Sequence, residues 1–202
     1  MAKINSRLFP ISQVDDSLIT SLFEIFSRCF LQASLEVFRE DCLGKTAVLV
    51  LTQGTEVVGF STLEDYEVET ERERIQVFFS GDTIILPKFW GTPEMPKAIA
   101  KYFFRRKEEL GERRCFWFLI SSGYKTYRLL PVFFRNYIPS LDPPASSHEL
   151  SKIVDELAHS RFGDRYDAAS GLIRLCHPTP LREGIAPLGE RELRKPEVAF
   201  FL

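Results

Sequence analysis

The feature that most constrains this chain is a pair of apolar runs around a short turn. Residues 46–52 (TAVLVLT) are β-branched and nearly all apolar, and residues 56–63 (EVVGFSTL) follow after Gln53-Gly54-Thr55. β-Branched side chains suit a pleated, half-buried surface. Two such runs joined by a glycine-containing turn predict an antiparallel hairpin. An isolated hairpin is marginal in water, so neighbouring segments must supply more strands and covering helices.

Those segments read in a clear order. Residues 5–12 form a short strand. Asp15 or Asp16 caps a helix whose apolar face is Leu18, Ile19, Leu22, Phe23, Phe26 and Phe30. A second helix covers 34–43 and stops at Gly44. After the hairpin, 64–74 (EDYEVETERER) is a charge run expected to project into solvent. Residues 75–86 carry strand signals interrupted by Ser80-Gly81-Asp82, a turn or a bulge. A helix then presents Met95, Ile99, Tyr102, Phe103 and Leu110 on one side and stops at Gly111. Residues 115–120 (CFWFLI) are a buried strand, and 124–137 a helical stretch that Pro131 starts, kinks or divides. Beyond Pro139 the composition changes: Ser146-x-x-Glu149 reads as a capping box for a further helix ended by Gly163. Residues 171–176 form a short strand, and the last 25 residues carry no clear element before an apolar finish. The expectation is an α/β chain with a mixed, mostly antiparallel central sheet flanked by helices. It divides into an α/β domain over 1–140 and a C-terminal extension over 141–202.

Composition excludes several functions. Lys and Arg number 26 against 28 Asp and Glu, a net charge of −2. That disfavours a nucleic-acid protein working by bulk phosphate attraction. No apolar run approaches the roughly 20 residues of a membrane span, and no signal-peptide pattern opens the chain, so the cytoplasm is expected. The four cysteines (Cys29, Cys42, Cys115, Cys176) and three histidines lack zinc-ligand spacing and read as reduced, mostly buried thiols and ordinary imidazoles. Phe dominates the aromatics, with 18 against six Tyr and two Trp. Core packing accounts for most of them, and Phe89 and Trp90 fit that explanation least. Nucleophile-elbow, P-loop, HExxH and dinucleotide patterns do not occur.

Over roughly residues 5–138 the element order resembles the GNAT (GCN5-related N-acetyltransferase) superfamily. In that family the fourth strand enters a P-x-x-R/Q-G-x-G/A loop ahead of a helix. Here Pro87 and Gly91 match, Trp90 stands where Arg or Gln is expected, and Pro93 replaces the second small residue. The resemblance implies acetyl-CoA or another acyl-CoA as cofactor, bound through Ile84, Ile85, Leu86, Lys88, Trp90, Gly91, Thr92 and Lys97. Backbone amides of the loop and a helix N-terminus suit a diphosphate. Pro93 and Pro96 have no amide to give, and Glu94 adds negative charge. Thr92 is expected to cap the helix with Pro93 at its first position. A tyrosine after the fifth strand protonates the departing thiolate in the family; Tyr127, then Tyr124, are the candidates. A base for the amine is sought in Glu64, Asp65 or Asp82. The basic pairs around Gly111 (Arg105-Arg106-Lys107, Arg113-Arg114) either favour the helix dipole or meet a cofactor phosphate or an acidic carrier protein.

The expected function is transfer of an acyl group from coenzyme A to an amine on a small molecule or protein. The alternatives are a catalytically inactive GNAT-like binding or scaffold protein, and an acyltransferase using a long-chain or carrier-bound acyl group. The C-terminal part leaves room for a homodimer.

Overall fold

The computed structural model describes residues 3–70, 72–175, 179–185 and 187–202. The chain forms two compact units, 1–120 and 121–202. Residues 121–140, assigned from sequence to the α/β domain, cluster with the C-terminal part.

The first unit is a five-stranded sheet in the order β1-β2-β3-β4-β5. The strands are β1 Ile4–Pro10, β2 Ala47–Gln53, β3 Glu56–Glu69, β4 Arg74–Ile85 and β5 Cys115–Leu119. The first four pair antiparallel and β5 pairs parallel to β4. A parallel neighbour needs a crossover, supplied by helix α3, Glu94–Leu110. Helices α1 (Asp16–Cys29) and α2 (Leu35–Leu43) connect β1 to β2. Asp15 caps α1 by accepting the Leu18 amide at 2.8 Å, and Ser34 accepts the Val37 amide at 3.4 Å to start α2.

The phenylalanines sort onto the two faces of the sheet. Phe23, Phe26, Phe30 and Phe38 of the α1–α2 segment form one aromatic group, and Phe38 meets Phe60 of β3 edge-on at 5.8 Å. On the other face Phe78 stacks on Phe103 of α3 at 4.8 Å, and Trp117 meets the same ring. Phe79 points the opposite way and packs on Phe118. Strand alternation therefore separates Phe78 from Phe79 and Trp117 from Phe118.

The charge run does not form a separate solvated loop. Residues 64–69 continue β3, and β4 begins at Arg74, so the charged side chains decorate a long hairpin. Asp65 is buried within it: it accepts from Gln76 Nε2, Arg106 Nε and, at 3.3 Å, Tyr102 Oη. Ion pairs hold the remainder: Glu69–Arg74 across the hairpin, and Glu67–Arg113 and Glu73–Arg114 to the segment just before β5.

The second unit contains the short helices α4 (Tyr124–Tyr127) and α5 (Leu129–Phe133), then the longer α6 (Ser147–Phe162). A two-residue hairpin follows, β6 Tyr166–Asp167 with β7 Leu172–Ile173. Helices α7 (Glu190–Leu193) and α8 (Pro196–Phe201) complete it. Sequence periodicity had left the last 25 residues without structure, yet Val198 of α8 is fully buried and Phe200 and Phe201 lie against Tyr127. Six residues are too few for a periodic signal. Ser146 precedes α6 as expected, but its hydroxyl makes no cap bond. Cys176 lies outside the described residues; Cys29 and Cys42 are buried and Cys115 half-buried.

Candidate functional site

The interruption at Ser80-Gly81-Asp82 is a bulge. Leu63 opposes Ser80 and Ser61 opposes Thr83, so Gly81 and Asp82 together face Thr62. A bulge bends its strand and redirects a side chain. Here it aims Asp82 at the face covered by α2. β5 also stops pairing at this point, its last partner being Ser80, while β4 runs on to Ile85. The β5-facing edge of β4 is therefore without a strand partner from the bulge to Ile85.

On that edge, β4 offers backbone groups. Leu86 donates its amide to Val58 of β3 at 2.9 Å. Alternation then turns the Ile84 amide toward β3 and the Ile85 amide and carbonyl outward. Of the two residues that the resemblance implies for the cofactor, the Ile84 N–H thus faces the β3 ladder and Ile85 faces the open edge. The Ile85 carbonyl accepts from Trp90 Nε1 at 2.8 Å.

After β4, Pro87–Phe89 makes one turn of 3₁₀ helix. The amides of Phe89, Trp90 and Thr92 bond back to Leu86, Pro87 and Phe89. Gly91 has φ +86°, a conformation that glycine adopts at little cost, and open space lies where a side chain would stand. Helix α3 begins at Glu94, with Pro93 as its N-cap rather than its first residue. Thr92 Oγ1 accepts the Glu94 amide only at 3.4 Å, and the Lys97 amide bonds to Pro93. Among the described residues the Gly91 and Met95 amides have no acceptor. Lys88 is exposed, whereas Lys97 Nζ lies 3.4 Å from Glu94 Oε1. Two amides and one lysine fit a single phosphate group at the helix end, less than a full diphosphate cradle.

The carboxylate candidates separate clearly. Asp65 is tied into the β3–α3 network and is not exposed to an acceptor. Glu64 lies 3.9 Å from Lys45 Nζ. Asp82 makes no hydrogen bond among the described residues, and burial, reinforced by Asp41 and opposed by Lys45, pushes its carboxyl up to about 7. Lys45 and Asp41 had no place in the sequence reading. The available signal was a lysine directly before the most apolar strand, four residues after an aspartate. Lys45 is only 8% exposed; its ammonium bonds Asp41 Oδ1 at 2.7 Å and lies 5.9 Å from the Phe79 ring centre. Cys42 shares this pocket and is pushed up to about 11 by burial first, with Asp41 and Asp82 adding.

The two tyrosine candidates lie in the second unit. Tyr127 donates to the Pro139 carbonyl at 3.1 Å and burial pushes its phenol up to about 12. Tyr124 donates to the Pro187 carbonyl at 3.2 Å, and burial raises it too. The basic pairs around Gly111 are engaged. Arg106 binds Asp65 and Glu109, Arg113 binds Glu67, Arg114 binds Glu73, and Lys107 donates to the carbonyls of Gly111 and Arg113.

Structure comparison finds a similar fold in solved N-acetyltransferases. Aminoglycoside N-acetyltransferase AAC(6')-Iy, bound to a CoA bisubstrate analogue, superposes with a TM-score of 0.52 at 9% identity, covering 71% of this chain and 98% of that one. Its complex with CoA gives 0.51 at 11% identity, over 71% and 95%. The fold is that of the GNAT acetyltransferases. A ribosomal-protein-alanine N-acetyltransferase from Brucella melitensis biovar Abortus 2308 gives 0.49 at 11% identity, over 70% and 98%. No family model matches the sequence, and a search of curated proteins finds no significant match. Among the described residues no helix is long and apolar enough to cross a membrane.

Proposed function

We propose that this protein is an acyl-coenzyme A-dependent N-acyltransferase that acylates an amine on a small molecule or a protein. The observation that carries the reading is the β4 bulge, which brings the Asp82 carboxyl to the end of β5 pairing on a GNAT fold. A base works best when its pKa lies near the working pH, and Asp82 stands at about 7.

Bound coenzyme A would supply an acyl thioester. Asp82 takes the proton that an ammonium acceptor must lose before its nitrogen can attack. The outward Ile85 amide is a donor for the thioester carbonyl oxygen, where negative charge develops. The Gly91 and Met95 amides and Lys88 hold a phosphate at the start of α3. Glu64 borders the same pocket.

A second reading, a GNAT-fold binding protein without turnover, is favoured by the prolines at 93 and 96 and by Trp90 resting on the Ile85 carbonyl. Thermal shift with acetyl-CoA and longer acyl-CoAs, followed by a free-thiol assay with an amine panel, separates the two. Stabilisation with thiol release supports the acyltransferase. Stabilisation without release against any amine supports the binding protein. No shift with any acyl-CoA at millimolar concentration overturns both uses of the cofactor.

A further inference from the structure

Buried lysines are costly unless paired, and an apolar residue of similar size would often serve a fold as well or better. Lys45 is such a residue. It leaves the end of α2 and lies across the bulge: the place where a Gly81 side chain would begin is 3.3 Å from Lys45 Cε and 2.4 Å from Thr62 Oγ1. Any side chain at 81 would collide there, so glycine is what lets the lysine stem and the threonine close over the bent strand. Thr62 Oγ1 is buried and has no hydrogen-bond partner among the described residues.

We propose that Lys45 is a positioning residue of the acyl-transfer site, one that lies across the bulge beside Gly81 and holds the neighbouring Asp82 as the proton acceptor against Asp41. This rests on the acyltransferase reading and deepens it.

The groups acting on Asp82 are Asp41 and Cys42 of α2 and Lys45 itself, with Glu64 of β3 approaching the far side of the Lys45 ammonium. The Lys45 ammonium reaches two carboxylates, Asp41 and Glu64, while its stem crosses the bulge beside Asp82. It pairs directly with Asp41 at 2.7 Å, offsetting the carboxylate that raises Asp82, and it lies 3.9 Å from Glu64. Asp82 receives its field without a hydrogen bond. A direct bond would pull Asp82 into a permanently ionised pair and spoil it as a base. With no ammonium at all, neighbouring negative charges and burial would keep it protonated through neutral pH. The present geometry lies between those extremes.

The test uses Lys45→Met, Lys45→Arg and Asp82→Asn in the full chain. Side-chain carboxyl carbons are titrated by NMR, with Asp82 assigned by the signal lost in Asp82→Asn. The wild-type midpoint is expected near 7, rising by about one unit or more in Lys45→Met and returning in Lys45→Arg. The alkaline-going limb of the kcat/KM profile for acyl transfer should move by the same amount. An unchanged Asp82 midpoint in folded Lys45→Met overturns the proposal whatever the activity. A shifted midpoint with an unmoved rate profile also overturns it, since Asp82 is then not the proton acceptor. A shifted midpoint in a protein that transfers no acyl group overturns the acyltransferase reading instead and leaves the charge coupling standing.

Discussion

At the scale of single residues, Asp82 carries the sharpest consequence. Its carboxyl stands at about 7 against an ordinary 3.8, chiefly because it is buried. A raised carboxylate penalises the folded state when ionised. The penalty is absent below about pH 4, grows between pH 4 and 7, and is complete above 7. Asp82→Asn removes it. The variant should therefore be more stable than the parent at pH 8, by on the order of 2 kcal/mol once partial exposure is allowed for, and indistinguishable at pH 4. Denaturant midpoints at the two values measure this directly. The same variant should lose acyl transfer, so stability and activity move in opposite directions, as expected where a group is placed for chemistry.

At the scale of elements, the β3–β4 hairpin and α3 are joined by Asp65. Its side chain is 5% exposed and receives Gln76, Tyr102 and Arg106. The phenol of Tyr102 is pushed upward by burial and by this carboxylate. Asp65→Ala leaves three donors facing an empty position, and truncating one partner of a buried pair costs about 3–5 kcal/mol. Urea unfolding of Asp65→Ala should show a loss of that order, largely recovered by no other carboxylate on the hairpin. These elements also show which signals a sequence carries. The hairpin turn, the cap at Asp15 and the stops at Gly44, Gly111 and Gly163 were all legible, because each depends on local chemistry. The extension of β3 through residues 64–69 was hidden because its charges alternate with buried positions, and a burial decided by α3 leaves no local mark. The basic pairs look free in sequence for the same reason: Asp65, Glu67 and Glu73, which bind Arg106, Arg113 and Arg114, lie far away along the chain.

At the scale of the whole molecule, the element order was enough to reach the fold, and the site was only partly within reach. Ile85, Gly91 and Asp82 belong to segments that sequence singled out. Lys45 and Asp41 do not, because their meeting with the bulge depends on where α2 lands on the sheet. Tyr127 illustrates the converse: its position after β5 invited a catalytic role, and its hydroxyl is instead bonded to a carbonyl of its own unit. The bulge itself has a further consequence. Phe60, Thr62 and Glu64 of β3 share a face, and register pairs Ile84 with Phe60 and Phe79 with Glu64 on either side of the extra residue. Gly81 therefore behaves as an in-phase insertion. Deleting it would leave every flanking side chain on the face it now occupies, flattening the strand and erasing only the pocket. Gly81→Ala keeps the residue count but drives a methyl into Thr62. Thermal midpoints of the two variants should rank deletion above substitution, making this a position where the chain tolerates losing a residue better than gaining one methyl group.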